Sequence, residues 1–225
     1  MTKTLILDLD ETLLHSWDNP SFLSDIYANS EMLEKLYPVD DISRIYNIQL
    51  KTTQSKSYIW GTLRPGLYEF LQFASNYFNN IIIWSAGVDE YVHKIVDVIF
   101  LNAGVKKPGV IFTRDHCASY TIHNDRIYHK PISFVSNYLN QKHYSSMQFD
   151  IKMTLILDDK LHTFKENKLN GVLIPQYIPN VTKTKFDDLI NENDFALDKF
   201  KKWLNTPEVL TSKDYTKLDK SKIFY

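Results

Sequence analysis

Three short apolar runs along the chain each stop at a residue capable of chemistry. Thr4-Leu5-Ile6-Leu7 ends at Asp8, Asn80-Ile81-Ile82-Ile83-Trp84 ends at Ser85, and Thr154-Leu155-Ile156-Leu157 ends at Asp158. None of them alternates apolar with polar residues, so each fits a strand buried on both faces of a parallel sheet. Val110-Ile111-Phe112 and Val172-Leu173-Ile174 are two further strand candidates, and the pentapeptide Thr-Leu-Ile-Leu-Asp occurs twice, at 4–8 and 154–158.

Helical spacing fills the gaps. Pro65-Gly66 opens a stretch that puts Leu67, Phe70, Leu71 and Ala74 on one face, and proline suits a first helical position. Val88, Tyr91, Val92, Ile95, Val96 and Ile99 recur at intervals of three and four; Asp89 and Glu90 suit the first turn and Gly104 the stop. Residues 133–144 and 184–204 carry helical patterns too. Strands alternating with helices predict an α/β fold, a three-layer Rossmann-like parallel sheet.

Residues 18–62 interrupt this alternation. Arg44-Ile45-Tyr46-Asn47-Ile48-Gln49-Leu50 alternates, and Tyr58-Ile59-Trp60 is expected to pair with it across a polar turn at 52–57. The expectation is a β-hairpin insertion after the first strand, with Tyr46, Ile48, Tyr58 and Trp60 making a small local core. One domain then spans 1–204, and the polar, Lys/Asp-rich segment 205–225 is expected to be a loosely ordered tail.

Composition narrows the function classes. The 225 residues suffice for one domain with an insertion. A net charge of −1 supplies no basic field, so no nucleic-acid partner is expected. No apolar run approaches the ~20 residues that span a bilayer, and Met1-Thr2-Lys3 leads straight to the first strand without a cleavage site. A soluble, intracellular protein without a membrane partner is expected, its nuclear or cytoplasmic address and its oligomeric state left open. Cys117, the single cysteine, has no internal disulfide partner and reads as an idle thiol.

In an open parallel sheet, ligands bind beyond the carboxyl ends of the strands. Here that edge receives Asp8 and Asp10, Ser85, and Asp158 and Asp159. Two unit charges 4 Å apart repel by about 4 kcal/mol at an effective dielectric near 20, so such a cluster calls for a cation. A small all-oxygen ligand set suits Mg²⁺. The same groups suit phosphoryl transfer: a carboxylate can attack phosphorus, and a second one two residues on can act as acid and then base. A hydroxyl and a lysine are needed for the equatorial oxygens. Ser85 supplies the first, and Lys130 in Tyr128-His129-Lys130-Pro131 is the expected second. The bland reading of each residue alone is a capping or surface role; their delivery by three similar strands favours the site.

Asp8-Leu9-Asp10-Glu11-Thr12-Leu13 resembles the first motif of the haloacid-dehalogenase superfamily. Extended through Leu14-His15-Ser16, it resembles the FCP/SCP branch, phosphatases of the RNA polymerase II C-terminal domain. Leu63-Arg64-Pro65-Gly66, Trp84-Ser85-Ala86-Gly87 followed by Tyr91, Lys130, and Leu157-Asp158-Asp159 match its later segments in order. The resemblance covers about residues 3–175. It implies that Asp8 is the nucleophile and a metal ligand. Asp10 would be the general acid/base, with its carbonyl on the metal. Asp158 and Asp159 would complete or orient the metal shell. Ser85 and Lys130 would bind phosphate, with Thr12 supporting the first loop beside them. Ser85 stands where the branch often has threonine, and Asp158-Asp159 where small members often have Asp-Asn, so either aspartate can be the direct ligand.

The expected function is a Mg²⁺-dependent phosphatase working through an aspartyl-phosphate. Its expected substrate is a phosphoprotein, at phosphoserine or phosphothreonine, such as the RNA polymerase II C-terminal domain. In the family the β insertion forms an apolar pocket beside the phosphoserine, the rival reading for its aromatic residues here. Two alternatives stand beside this: a phosphatase of a nucleotide, sugar phosphate or nucleic-acid end, and a non-catalytic binding domain.

Overall fold

The computed structural model describes residues 1–17, 43–51, 56–140, 147–179 and 193–225. Its centre is a five-stranded parallel sheet. The strands are β1 (Thr4–Leu7), β5 (Asn80–Trp84), β6 (Val110–Phe112), β9 (Thr154–Asp158) and β10 (Gly171–Leu173), in the order β10-β9-β1-β5-β6. Every predicted strand is present, the last shifted by one residue.

Both faces of the sheet are covered, which is why its strands carry no polar alternation. Leu5, Leu7, Leu155, Leu157 and Ile83 point into one core. Helices α1 (Leu67–Tyr77), α2 (Asp89–Asn102) and α4 (Ala196–Leu204) supply its other side through Phe70, Leu71, Val92, Val96, Phe200 and Leu204. The intervening residues Ile6, Ile82, Trp84 and Ile156 enter a second core closed by α3 (Ile132–Leu139). Successive strand residues face opposite sides, so helices on both faces give the three layers. Each fully buried Leu or Ile contributes about 1.5–3 kcal/mol. The repeated pentapeptide has a structural meaning: β1 and β9 are neighbours, and the two copies pair residue for residue, from Thr4 with Thr154 to Leu7 with Leu157.

Helix boundaries follow the sequence signals. Gly66 takes φ 75° just before α1, and Gly104 takes φ 66° just after α2, where a side chain would be strained. Helix α3 ends at Leu139 and α4 begins at Ala196; residues 141–144 and 184–192 of the longer helices expected there lie outside the described residues.

The antiparallel insertion is larger than a hairpin. Strands β3 (Ile45–Lys51) and β4 (Lys56–Leu63) pair as expected, and β2 (Leu14–Trp17) adds to the other edge of β4. Residues 18–42, and most of the expected turn, at 52–55, lie outside the described residues. Tyr46 and Ile48 join the main core, Trp60 is half-buried and Tyr58 is 48% exposed, so these four do not make the separate local core expected.

Two features depart from the sequence expectations. A second hairpin, β7 (Ala118–Ile122) and β8 (Asp125–His129), joins β6 to α3. Its two-residue turn, His123-Asn124, has positive φ at both positions, matching the twist of the flanking strands. The segment expected as a loose tail is instead packed: Val209 of α5 (Pro207–Thr211), Tyr215 of the turn at Tyr215–Lys217 and Ile223 beyond it are buried in the first core. Three spaced apolar anchors among Lys and Asp suffice to dock it. No helix among the described residues is long and apolar enough to cross a membrane.

Candidate active site

The ends of β1, β5 and β9 lie side by side, and that register assembles the site. Leu7 pairs with both Leu157 and Ile83. Asp8 therefore leaves the sheet level with Asp158, and the Asp8 amide donates to the Leu157 carbonyl at 3.1 Å. The chain then turns sharply, with the amides of Thr12, Leu13 and Leu14 all directed to the Leu9 carbonyl at 2.8–3.2 Å. Glu11 sits in the left-handed region, φ 57°, a strain of about 1–2 kcal/mol. It is held there by its amide on the Leu14 carbonyl and its carbonyl on the Tyr177 amide, 2.8 and 2.7 Å.

All seven residues singled out from the sequence meet here. The Lys130 ammonium donates to Asp8 Oδ1 and Asp158 Oδ2, each at 2.6 Å. The Thr12 hydroxyl lies 3.1 Å from Asp8 Oδ2 and 3.3 Å from Asp159 Oδ1, and accepts the Asp159 amide at 3.1 Å. Thr12 is fully buried and thus ties the two loops together from below. The other oxygen of Asp158 accepts from the Lys160 amide and the Thr163 hydroxyl, at 2.9 and 3.1 Å. The Ser85 hydroxyl accepts the Gly87 amide at 2.9 Å and donates to Asp10 Oδ2 at 3.2 Å.

The donor set fits a hard divalent cation. One oxygen from each of Asp8, Asp158 and Asp159 lies within 4.8 Å of the others, and oxygen-only ligation suits Mg²⁺ or a similar ion. Lys130 is shared between Asp8 and Asp158, with Asp10 and Asp159 beside them, so carboxylates outnumber the buried ammonium. Burial pushes the Asp8 carboxyl up to about 8; Lys130 opposes this, while Asp158 and Asp10 add to it. Burial works against the Lys130 charge, but Asp158 and Asp8 outweigh it and hold the ammonium protonated. Both partners of this ion pair titrate upward, Asp8 because its burial outweighs Lys130 and Lys130 because two carboxylates outweigh its burial. Burial likewise raises Asp10 and Asp159, against the Tyr91 and Gln176 hydrogen bonds respectively.

Several side chains that sequence reasoning did not assign to the site support it. The Tyr91 hydroxyl donates to Asp10 Oδ1. Ser16 Oγ lies 2.5 Å from that hydroxyl and 2.7 Å from the Tyr46 hydroxyl. Asp10, Tyr91, Ser16 and Tyr46 thus form one hydrogen-bonded chain from the first loop into the insertion. Arg64, fully buried, donates to the Thr12 and Pro175 carbonyls, both at 2.8 Å, and pairs with Asp194. Gln176 donates to Asp159 Oδ2 at 2.8 Å. Tyr91 and Arg64 stood in the quoted segments, but without a partner; their partners come from elements remote in sequence.

Above the carboxylates lies a cavity of about 270 Å³. Asp8, Asp10, Lys130 and Asp158 form its floor, Arg126, Ile127 and Tyr128 of β8 one wall, and Lys160 and His162 another. Cys117 is half-buried, its thiol directed to the Thr113 carbonyl, and burial raises its pKa, consistent with an idle thiol.

Comparison with known proteins agrees with this architecture. A protein described as CTD small phosphatase-like protein 3 from Caenorhabditis elegans is 24% identical over 182 residues, covering 81% of this chain and 50% of that protein. The structure of Fcp1, an essential RNA polymerase II CTD phosphatase, superposes with a TM-score of 0.54 at 20% identity, over 80% of this chain and 43% of that one. A fission yeast Fcp1 variant bound to beryllium fluoride gives 0.56 at 18% identity, over 90% and 49%. These two establish a shared fold. The chain spans about half the length of the relatives it matches. The profile of the NLI interacting factor-like phosphatases matches residues 3–203, nearly the whole chain, and the protein belongs to that family.

Proposed function

We propose that this chain is a Mg²⁺-dependent phosphatase that carries the phosphoryl group on Asp8, and that its substrate is a phosphoserine or phosphothreonine of a protein. The observation that supports this most is the floor of the cavity. A carboxylate, Asp8, is held between Lys130 and Thr12, with a second carboxylate, Asp10, two residues on and already hydrogen-bonded from both oxygens.

The chemistry runs in two displacements. An Asp8 oxygen bonds to phosphorus while the bond to the seryl oxygen breaks, and the Asp10 carboxylic acid gives its proton to that departing oxygen. Burial favours the protonated form of Asp10 that this step needs. Asp10 then takes a proton from water as the water oxygen bonds to phosphorus, the bond to Asp8 breaks, and free phosphate leaves with Asp10 again protonated. Lys130 and Ser85 donate to the equatorial oxygens, where transition-state charge accumulates. Mg²⁺, held by Asp8, Asp158, Asp159 and the Asp10 carbonyl, would neutralise the phosphate and its carboxylate attacker. Thr12 and Gln176 orient the carboxylates, as supporting groups do around metal ligands.

The protein substrate is drawn from the relatives, whose names refer to the RNA polymerase II C-terminal domain. Hydrolysis of phosphoserine peptides and of a panel of nucleotides and sugar phosphates tests it: faster turnover of the peptides is expected, and preference for the metabolites refutes it. The Asp8→Asn variant is expected to fold and to lose Mg²⁺-dependent aryl phosphate hydrolysis; wild-type rates in that variant refute the mechanism.

A further inference from the structure

The cavity is larger than a phosphoryl group needs. At about 30 Å³ per water, its 270 Å³ would hold roughly nine waters. Its wall also carries a cation with no part in the chemistry described above. Arg126 lies on β8, and its side chain lines the cavity. Its Nε donates to the Ser119 hydroxyl of the paired strand at 2.9 Å, and its guanidinium carbon sits 5.4 Å from the centre of the Tyr128 ring. These contacts hold the exposed group at the cavity rim but leave its charge unmatched: no carboxylate among the described residues pairs with Arg126. Lys160, across the cavity, differs, because it pairs with Glu11 at 3.3 Å.

Strand phase fixes the relation to the floor. Arg126, Tyr128 and Lys130 are spaced by two, so the first two share a face of β8 and Lys130 follows in phase. At ~3.3 Å per residue, the Arg126 backbone stands about 13 Å from that of Lys130. An extended substrate chain advances ~3.3–3.6 Å per residue, so a group two to four residues from the phosphorylated one reaches Arg126 when the arginine leans inward. A guanidinium held in place without a carboxylate partner is suited to bidentate capture of a carboxylate or phosphate.

We propose that Arg126 forms a second anion subsite, selecting substrate peptides that carry a carboxylate or a phosphate two to four residues from the phosphoserine being hydrolysed. This rests on the phosphatase reading above. The test measures binding to the Asp8→Asn protein, with Mg²⁺ present, so that turnover is not required. Labelled phosphoserine peptides of one sequence carry neutral flanks, glutamates, or a second phosphoserine at those positions, and fluorescence anisotropy gives each Kd. At least one anionic arm is expected to bind about tenfold more tightly than the neutral arm. The larger advantage identifies carboxylate or phosphate as the preferred group. Adding Arg126→Gln is expected to remove the difference, Arg126→Lys to keep part of it, and added salt to shrink it. Equal Kd values across the arms, no binding of any arm, or a preference that survives Arg126→Gln overturns the proposal. Hydrolysis of an aryl phosphate by the wild-type protein is followed separately. Its absence refutes the phosphatase reading and leaves the binding comparison intact.

Discussion

Replacing Lys130 by methionine tests the electrostatic argument most sharply. The ammonium is 4% exposed and makes two 2.6 Å contacts, to Asp8 and Asp158, both buried. Removing one partner of a buried ion pair leaves uncompensated charge and costs about 3–5 kcal/mol. At about 2–4 °C of melting temperature per kcal/mol for a chain of this size, Lys130→Met is expected to melt about 6–20 °C lower at pH 8 without divalent cations. The pH dependence has a definite sign. Asp8 has a folded pKa raised from 3.8 to about 8 by burial, relieved in part by Lys130. A raised carboxyl pKa means that the folded state binds the proton more tightly, so stability falls as pH climbs between those values. Loss of Lys130 raises that pKa further, so both proteins hold Asp8 protonated at pH 5 and 6.5; the gap between variant and wild type should stay constant there and widen above about pH 7.5, as only the wild type ionises. Lysine itself adds no slope there, being charged in both states. Thermal melts by circular dichroism at pH 5, 6.5, 8 and about 9, with and without Mg²⁺, measure this. Mg²⁺ is expected to stabilise both proteins, more at pH 8 than at pH 5. A variant as stable as wild type at pH 8, or a gap independent of pH, refutes the reasoning.

Other consequences follow from particular contacts. Tyr91→Phe removes the hydrogen bond that positions Asp10, worth about 1 kcal/mol when Asp10 is the neutral acid of the first step. Turnover of a phosphoserine peptide should fall about fivefold, and that of an aryl phosphate, whose leaving group needs no well-placed acid, should fall less. Equal losses on both substrates argue against a role through Asp10. Gly61→Ala would drive a Cβ into the Tyr46 hydroxyl and the His15 carbonyl. Overpacking of this kind costs about 1–3 kcal/mol, read as a lower denaturation midpoint; an unchanged midpoint contradicts the close approach of β2 and β4. Tyr215→Ala should cost about 3–5 kcal/mol because Tyr215 is fully buried; a loss below about 1 kcal/mol would show the C-terminal segment to be undocked.

The fold and the floor of the site were legible because both are local in sequence. The buried strands are unbroken apolar runs, and three of the five end on a reactive residue, so reading Leu7-Asp8, Trp84-Ser85 and Leu157-Asp158 reads the sheet edge as well. Lys130 needed the resemblance, since nothing in Tyr128-His129-Lys130 separates it from a surface lysine. The chain of hydroxyls from Asp10 to Tyr46 was hidden because its links come from three separate segments, around Asp10 and Ser16, at Tyr46 and at Tyr91, brought together by the pairing of β2 and β3 with β4 and by α2. The β7–β8 hairpin was missed because its turn, His123-Asn124, lacks the glycine that marks such turns, and its strands are largely polar. The C-terminal segment misled for the opposite reason: its composition is polar, but a few buried residues, Val209, Tyr215 and Ile223, set its position. Arg126 carries no signal in sequence beyond its charge; only the cavity wall gives it meaning.

The central claim is that the phosphoryl group passes through Asp8. Asp10→Asn protein should still accept a phosphoryl group from a good aryl leaving group but lacks the base that discharges it. Acid quenching during turnover, followed by peptide mass spectrometry, should find one phosphoryl adduct on the peptide containing Asp8, Mg²⁺-dependent and lost on treatment with hydroxylamine. The Asp8→Asn,Asp10→Asn double variant should show none. Turnover of aryl phosphate without any adduct on Asp8, or an adduct that persists in the double variant, would contradict the account.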